Sequence, residues 1–213
     1  MVVLLSPDGA SISDDEFLQM LKSYDVTTES VFRRHEFNLL IRLAKGAGID
    51  VGCGLNKIHA GAIGVNQVVS SKDFAYPLGA QLEGHADHLP WFKDGSLDYV
   101  FSSHCLEHTR EPLTTLREWT RVLRPDGRMI LLLPHKDIYP RLGTPGANPD
   151  HKVDIGPEDI RRWTASLPLK LEQMDTVMRQ LADDPVAITE ASRWRHNTLN
   201  FSFEVIARKR PSA

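Results

Sequence analysis

The sequence predicts an α/β fold in which a mostly parallel sheet is covered by helices on both faces. Residues 49–54, Ile-Asp-Val-Gly-Cys-Gly, have the pattern of an apolar strand that ends in a glycine turn. Residues 96–134 follow as a strand, an amphipathic helix, a turn and a second strand. The almost continuous apolar run at 129–133 is typical of a strand that is buried on both faces.

The first elements are helices. Residues 14–22 begin with acidic residues and carry apolar residues at helical spacing, which predicts a short amphipathic helix. A second helix is predicted over residues 29–45, and it ends before Gly46. Its core candidates are Phe32, Leu39, Leu40 and Leu43.

The middle of the chain predicts five strands connected by helices or loops. They cover residues 48–51, 62–66, 81–85, 97–102 and 128–133. The helix at 112–123 is expected to bury one face and to leave the other in water. Its buried residues are Leu113, Leu116, Trp119 and Leu123, and its exposed residues are Arg117, Glu118 and Arg121.

The end of the chain predicts one helix and two strands. The helix begins near Pro157, and the strands cover residues 169–175 and 200–207. Phe201, Phe203 and Val205 recur at the period of a strand. The polar stretch 177–197 has no repeating pattern and is interpreted as a flexible insert.

The glycine turn is the first indication of function. Glycine accepts a positive φ and, without a Cβ, lets a ligand come close to the main chain. Ligands of open parallel sheets bind at the carboxyl ends of the strands, which is where Gly52 and Gly54 are predicted to lie. Gly-x-Gly alone is also compatible with an ordinary tight turn after a strand.

Four ordered motifs within residues 47–134 together resemble the class I S-adenosylmethionine (SAM) dependent methyltransferases, in particular their type 11 branch. The family pattern is Asp-x-Gly-x-Gly, Ala-Asp before Leu-Pro, Leu-Glu-His, and Leu-Arg-Pro-x-Gly. The matching positions here are Asp50, Gly52 and Gly54, then Ala86-Asp87 and Leu89-Pro90, then Leu106-Glu107-His108, and Leu123-Arg124-Pro125-Asp126-Gly127.

The resemblance implies a single domain over residues 1–213 with a Rossmann-like sheet. Residues 1–45 would form N-terminal helices, 46–134 the cofactor-binding core, and 135–213 the acceptor loop and an antiparallel hairpin at the sheet edge. It also implies SAM as cofactor and S-adenosylhomocysteine as product. The implied cofactor-binding residues are Asp50, Gly52, Cys53, Gly54, Asn66, Ala86, Asp87 and His104.

Within that set, the resemblance places Asp50 near the amino end of the methionine part of SAM. Asn66 would lie near the ribose, and Ala86 and Asp87 near the adenine. His104 and Glu107 are expected to shape the cavity by packing and hydrogen bonding.

Two departures from the family pattern bear on function. Only residues 55–61 separate the glycine turn from the second strand, which is too short for a full helical crossover. Asn66 stands where the family has a ribose-binding Asp or Glu, and Asn56 stands where it often has a third glycine. These departures motivate an alternative, a non-catalytic or weakly SAM-binding module that acts through a protein partner. A nicotinamide-dependent oxidoreductase is disfavoured by Asn56 and by the Leu-Glu-His context.

The acceptor is expected beside the loop that follows the fifth strand. Residues 133–152 are rich in Pro, Gly, His and Asp, and a long loop on a rigid scaffold often carries function. The loop resembles a methyltransferase subgroup associated with surface-polysaccharide biosynthesis, which implies a small polar acceptor such as a sugar hydroxyl. Candidate general bases are His135, then His151 with Asp150 as its orienting partner, then His108. His135 and His151 could instead only cap the loop.

Composition disfavours a nucleic-acid partner and a membrane span. The formal net charge is −3 and the charges are interspersed, so no basic stripe indicates a nucleic acid. No apolar run reaches membrane length and no signal peptide is evident, which favours a cytoplasmic protein.

The cysteines, Cys53 and Cys105, are expected to be reduced and to pack under the ligand. No His-Glu-x-x-His pairing of the zinc enzymes occurs, so no metal is expected. The acceptor, the methylated atom and the oligomeric state are left open.

Overall fold

A computed structural model of the chain describes residues 4–5, 11–12, 40, 43–54, 57–67, 79–145, 147–176 and 202–211. Seven strands form one sheet in the order β5-β4-β3-β6-β7-β9-β8. A separate antiparallel pair consists of β1 (Leu4–Leu5) and β2 (Ser11–Ile12). The strands of the large sheet are β3 (Gly48–Val51), β4 (Ile63–Asn66), β5 (Leu82–Glu83), β6 (Leu97–Ser103), β7 (Leu123–Pro134), β8 (Leu169–Thr176) and β9 (Ser202–Lys209).

The strand directions confirm the predicted fold class. Strands β5, β4, β3, β6 and β7 are parallel. Strand β9 is antiparallel to both β7 and β8, so the last two strands close the edge of the sheet as a hairpin. The carboxyl ends of the parallel strands therefore lie along one edge of the sheet, where ligands of such folds bind.

The core lies on both faces of the sheet. Strand β7 shows the reason, because Met129 and Leu131 belong to one apolar cluster, and Ile130 and Leu132 belong to the other. The first cluster includes Leu116 and Trp119 of helix α1 (Pro112–Val122) and Ile160 of helix α2 (Pro157–Ala165). The second includes Leu40, Ala44, Tyr99 and Phe101. Each fully buried Leu or Ile contributes about 1.5–3 kcal/mol.

Strand β3 has the predicted bounds, but other boundaries differ. Strand β7 begins at Leu123 instead of residue 128, because Leu123 pairs with Leu97 before a register shift. The predicted turn is retained inside this strand, since Asp126 has a φ of 63°. Strand β5 has two residues instead of five because the chain turns away after Glu83.

The prediction that Glu118 and Arg121 lie in water is wrong. Both are half-buried, because the irregular loop after β5 packs over this face of α1. Arg121 donates hydrogen bonds to the carbonyl oxygens of Phe92 and Leu89 at 2.9 and 3.1 Å. Glu118 accepts one from the Leu89 amide at 2.8 Å, and its hydrogen bond with Arg121 holds its pKa below the usual range. Helix α1 therefore anchors the loop.

Several sequence predictions fall outside the described residues. These are the helix at 14–22, most of the helix at 29–45, the contribution of Asn56, the stretch 177–197 and Phe201. The end of the second predicted helix is described: Leu40 is buried, Leu43 is half-buried and Gly46 has a φ of 94°. No helix in the described part of the chain is long and apolar enough to cross a membrane.

Candidate active site

A cavity of about 810 Å³ opens at the carboxyl ends of β3, β4 and β6. This volume is typical of a small-molecule site. Five of the eight predicted cofactor residues line it: Gly52, Asn66, Ala86, Asp87 and His104. The rest of its wall includes Cys105, His108, Thr109, Arg110, Asp150 and Lys152.

The glycine turn forms one wall of this cavity. Gly52 has a φ of 74° and its amide donates a hydrogen bond to the Val65 carbonyl at 2.8 Å. A Cβ at this position would lie 2.5 Å from Cβ and 2.6 Å from Sγ of Cys105. Residue 52 must therefore be glycine for two reasons, its positive φ and the close approach of Cys105.

Asp50 supports the turn from behind. Its carboxylate is buried and accepts a hydrogen bond from the Ile58 amide at 2.6 Å. This bond holds the short connection to β4. Its described residues 57–62 form turns and bends, so they confirm the prediction that no full helical crossover fits here, whereas the expected single turn of helix is not formed by them. Asp50, Cys53 and Gly54 do not line the cavity. The hydrogen bond from Ile58 ties Asp50 to the turn, and the predicted contact of Asp50 with the methionine part of SAM stays a prediction.

Helix α1 fixes the loop predicted to face the adenine. The indole Nε1 of Trp119 donates a hydrogen bond to the Ala86 carbonyl at 2.8 Å. Trp119 is fully buried, so this loop is attached to the rigid core. The neighbouring Gly84 amide donates to the carbonyl of Asn66 at 2.9 Å, which connects the loop to the end of β4.

His104 follows β6 in an unusual backbone conformation. Its φ is 50°, a region that costs a non-glycine residue free energy and that often occurs at functional sites. Its Nε2 lies 2.9 Å from the Ser202 hydroxyl oxygen, and its Nδ1 lies 3.5 Å from Oε1 of Glu107. The ring is therefore held between the C-terminal hairpin and a buried carboxylate.

Sequence reasoning expected Glu107 to shape the cavity by packing and hydrogen bonding, but it did not predict that Glu107 lies beside both His104 and His151. It is fully buried, and neither carboxylate oxygen accepts a hydrogen bond from the described residues. Burial alone would raise the pKa of Glu107, because it disfavours the charged carboxylate. The interaction with the His104 imidazole outweighs this effect and holds the pKa of Glu107 below its usual range. Oε1 also lies 3.8 Å from Nε2 of His151.

Two predicted base candidates meet beside Glu107. The rings of His108 and His151 pack edge to face with their centroids 4.7 Å apart. His108 lines the cavity, and His151 lies between two lining residues, Asp150 and Lys152. The sequence signal for Glu107 was its place in the Leu-Glu-His motif, which says nothing of the contact with His151.

His135 lies apart from this group and does not line the cavity. Its Nδ1 accepts a hydrogen bond from the Asp137 amide at 3.2 Å, and its ring packs against Phe203 with centroids 5.4 Å apart. Lys136 pairs with Glu158 and Asp159 of α2. This arrangement favours the loop-capping interpretation of His135.

Both cysteines are free thiols. Burial, reinforced by the charge of Asp50, raises the pKa of Cys53 to about 12. Because the reactive form of cysteine is the thiolate, Cys53 is not an activated nucleophile.

Comparison with known proteins extends these observations. Residues 49–131 match a family described as a methyltransferase domain. The chain is 30% identical over 141 residues to the demethylmenaquinone methyltransferase of Bacillus pumilus, covering 54% of this chain and 60% of that protein. It is 25% identical over 170 residues to the ajmaline N-methyltransferase of Rauvolfia serpentina, covering 70% of this chain and 55% of that protein. The chain thus spans less than two thirds of either relative.

Solved structures show the same fold. A SAM-dependent methyltransferase from Archaeoglobus fulgidus superposes with a TM-score of 0.58 and 17% identity. The superposition covers 92% of this chain and 100% of that chain. A chain from a Haloferax volcanii complex between the Trm112 methyltransferase activator and a methyltransferase superposes with a TM-score of 0.59 and 15% identity. The superposition covers 93% of this chain and 95% of that chain.

Proposed function

We propose that this chain, whose residues 49–131 carry a methyltransferase domain, transfers a methyl group from SAM to a small polar acceptor. One observation carries the proposal: a cavity at the carboxyl ends of the parallel strands joins the glycine turn to a group of imidazoles and carboxylates. A donor and an acceptor can therefore meet in one cavity.

SAM would lie along the side of the cavity formed by the turn and the loop after β5. Its methionine part would cross Gly52, its ribose would face Asn66, and its adenine would face Ala86 and Asp87, all of which line the cavity. The sulfonium methyl group would then point toward the side lined by His108 and Asp150. Asp50 would act by holding the turn.

The acceptor side favours a hydroxyl compound. Thr109, Arg110, Asp150 and Lys152 give this wall hydrogen-bonding and charged groups, which suit an acceptor with several hydroxyls such as a sugar. In the reaction the acceptor oxygen attacks the methyl carbon in line with sulfur, the carbon–sulfur bond breaks, and sulfur keeps the electron pair. The hydroxyl must also lose its proton, so it needs activation. In this proposal the group of His108, His151 and Glu107 provides that activation, which is supported by the contact of His151 with the buried carboxylate and by the packing of the two histidine rings against each other.

The donor assignment is tested by calorimetric titration of the purified chain with SAM and, separately, with NAD. We expect one SAM per chain and no heat from NAD, because the turn lacks the third glycine of the dinucleotide fingerprint. Binding of NAD without SAM would contradict the proposal.

Asn66→Asp should tighten SAM binding by about 1 kcal/mol, since a carboxylate would replace a neutral acceptor at the ribose hydroxyls. The dissociation constants of the two forms, measured by the same titration, check this. Asn148→Asp is a matched control because it makes the same change of side chain and charge at a residue that does not line the cavity. Unchanged or weaker binding by Asn66→Asp would show that Asn66 does not face the ribose.

A further inference from the structure

We propose that Glu107, His108 and His151 bind a divalent first-row metal ion at the wall of the active-site cavity. The purpose of this site rests on the proposed methyltransferase function, but its existence does not. A metal search by sequence spacing misses the site, because Glu107 and His108 follow β6 whereas His151 belongs to the loop before α2.

The geometry of the three side chains is that of an open ligand set. One potential ligand atom from each lies within 4.8 Å of the others. Ligands of a tetrahedral Zn²⁺ site are about 3.3 Å apart, given metal–ligand distances near 2.0 Å. Closing this difference would require the ring of His108, which is half-exposed, to turn toward the two buried partners. Two imidazoles and one carboxylate suit Zn²⁺ and similar first-row ions better than Mg²⁺ or Ca²⁺.

The burial of Glu107 is an independent observation that points to a cation. Both carboxylate oxygens are enclosed and accept no hydrogen bond from the described residues, and the imidazole nitrogens of His104 and His151 lie 3.5 and 3.8 Å from Oε1. A buried carboxylate without donors is costly unless a positive charge compensates it. A metal ion coordinated by Oε1 or Oε2 would supply that charge.

The backbone holds the ligands in register. The amides of Lys152 and Val153 donate hydrogen bonds to the Glu107 carbonyl at 2.8 and 3.3 Å. These bonds fasten the loop that carries His151 to the short 3-10 helix Leu106–His108. The three ligand residues are therefore positioned by main-chain contacts before any ion binds, which lowers the ordering cost of binding.

The ion would give the acceptor side its chemistry. With three protein ligands, a tetrahedral ion keeps one position for a substrate oxygen, and His108 lies on the cavity side. An ion held by these residues would make a nearby acceptor hydroxyl more acidic, so that the hydroxyl could release its proton to water before its oxygen attacks the methyl carbon of SAM. The histidine rings would thus hold the ion instead of accepting the proton themselves.

The test is a calorimetric titration of the full chain with Zn²⁺ after treatment with a chelator, together with the visible absorption of added Co²⁺. We expect one ion per chain and the absorption of a four-coordinate Co²⁺ site. His108→Ala, His151→Ala and Glu107→Gln should each weaken Zn²⁺ binding at least about tenfold. His135→Ala, which removes an imidazole outside the cluster, should bind as the parent chain does.

Absence of Zn²⁺ and Co²⁺ uptake by the parent chain would overturn the proposal, as would parent-like binding by folded His108→Ala and His151→Ala. His108→Ala is the decisive variant should Glu107→Gln not fold, because His108 is half-exposed. The outcome is separable from the methyltransferase proposal. Full methyl transfer by the metal-free chain would refute the role of the metal and keep the methyltransferase proposal. Metal binding without SAM binding would keep the metal site and refute the methyltransferase proposal.

Discussion

Replacing Gly52 by valine is expected to remove measurable SAM binding and to lower the melting temperature. The new Cβ would lie 2.5 Å from Cβ of Cys105, so the turn or the loop after β6 must move. Both line the cavity, and a displaced turn no longer presents its main chain to the methionine part of SAM. The positive φ of 74° adds about 1–2 kcal/mol of backbone strain.

Gly143→Val is the matched control for this experiment. Gly143 also has a positive φ, 76°, but a Cβ there would meet nothing within 4 Å. Gly143→Val therefore has the backbone strain of a positive φ but no steric clash of the new side chain, and it lies outside the cavity. This variant should bind SAM as the parent chain does. Undiminished SAM affinity in Gly52→Val, measured by calorimetry beside a thermal melt, would remove the glycine turn from the proposed site.

Replacing His108 or His151 by alanine should lower turnover by about 100-fold or more, the scale of a lost activating group. SAM affinity should stay within about threefold, a free-energy difference under 1 kcal/mol. The reason is position, because both rings lie beside Glu107 and away from the residues assigned to ribose and adenine.

The measurement is the initial rate against SAM and against acceptor for each variant, with a melt to confirm folding. His135→Ala is the comparison, since the sequence ranks it first as base whereas the structure places it outside the cavity. Parent-like rates in folded His108→Ala and His151→Ala, with a large loss in His135→Ala, would restore the sequence-based ranking.

Local patterns predicted most of the central sheet. Strand β3 and the turn at Gly52 were predictable because apolar runs and glycines report burial and backbone conformation residue by residue. The antiparallel edge came from the family resemblance, since nothing in the residues 202–209 themselves specifies their neighbour in the sheet.

Contacts between distant segments were not predictable. Arg121 has the appearance of a solvent-facing helix residue, and only folding brings the carbonyls of Leu89 and Phe92 to its guanidinium. The same holds for the Glu107 cluster, because His151 reaches it from a loop without a recognisable ligand spacing. Sequence periodicity describes each element alone, whereas these side chains are defined by the partners that the topology supplies.

The central claim is that the cavity transfers methyl groups from SAM, and its most direct test uses SAM labelled with a trideuteromethyl group. The purified chain is incubated with this donor and a panel of hydroxylated acceptors that includes sugars and sugar-linked compounds, and the products are analysed by mass spectrometry. The account predicts an acceptor that gains the labelled methyl group together with an equal amount of S-adenosylhomocysteine, and a loss of both in His108→Ala. Binding of SAM without transfer to any acceptor, by a chain that pulls down a protein partner, would contradict the enzyme and favour a binding module.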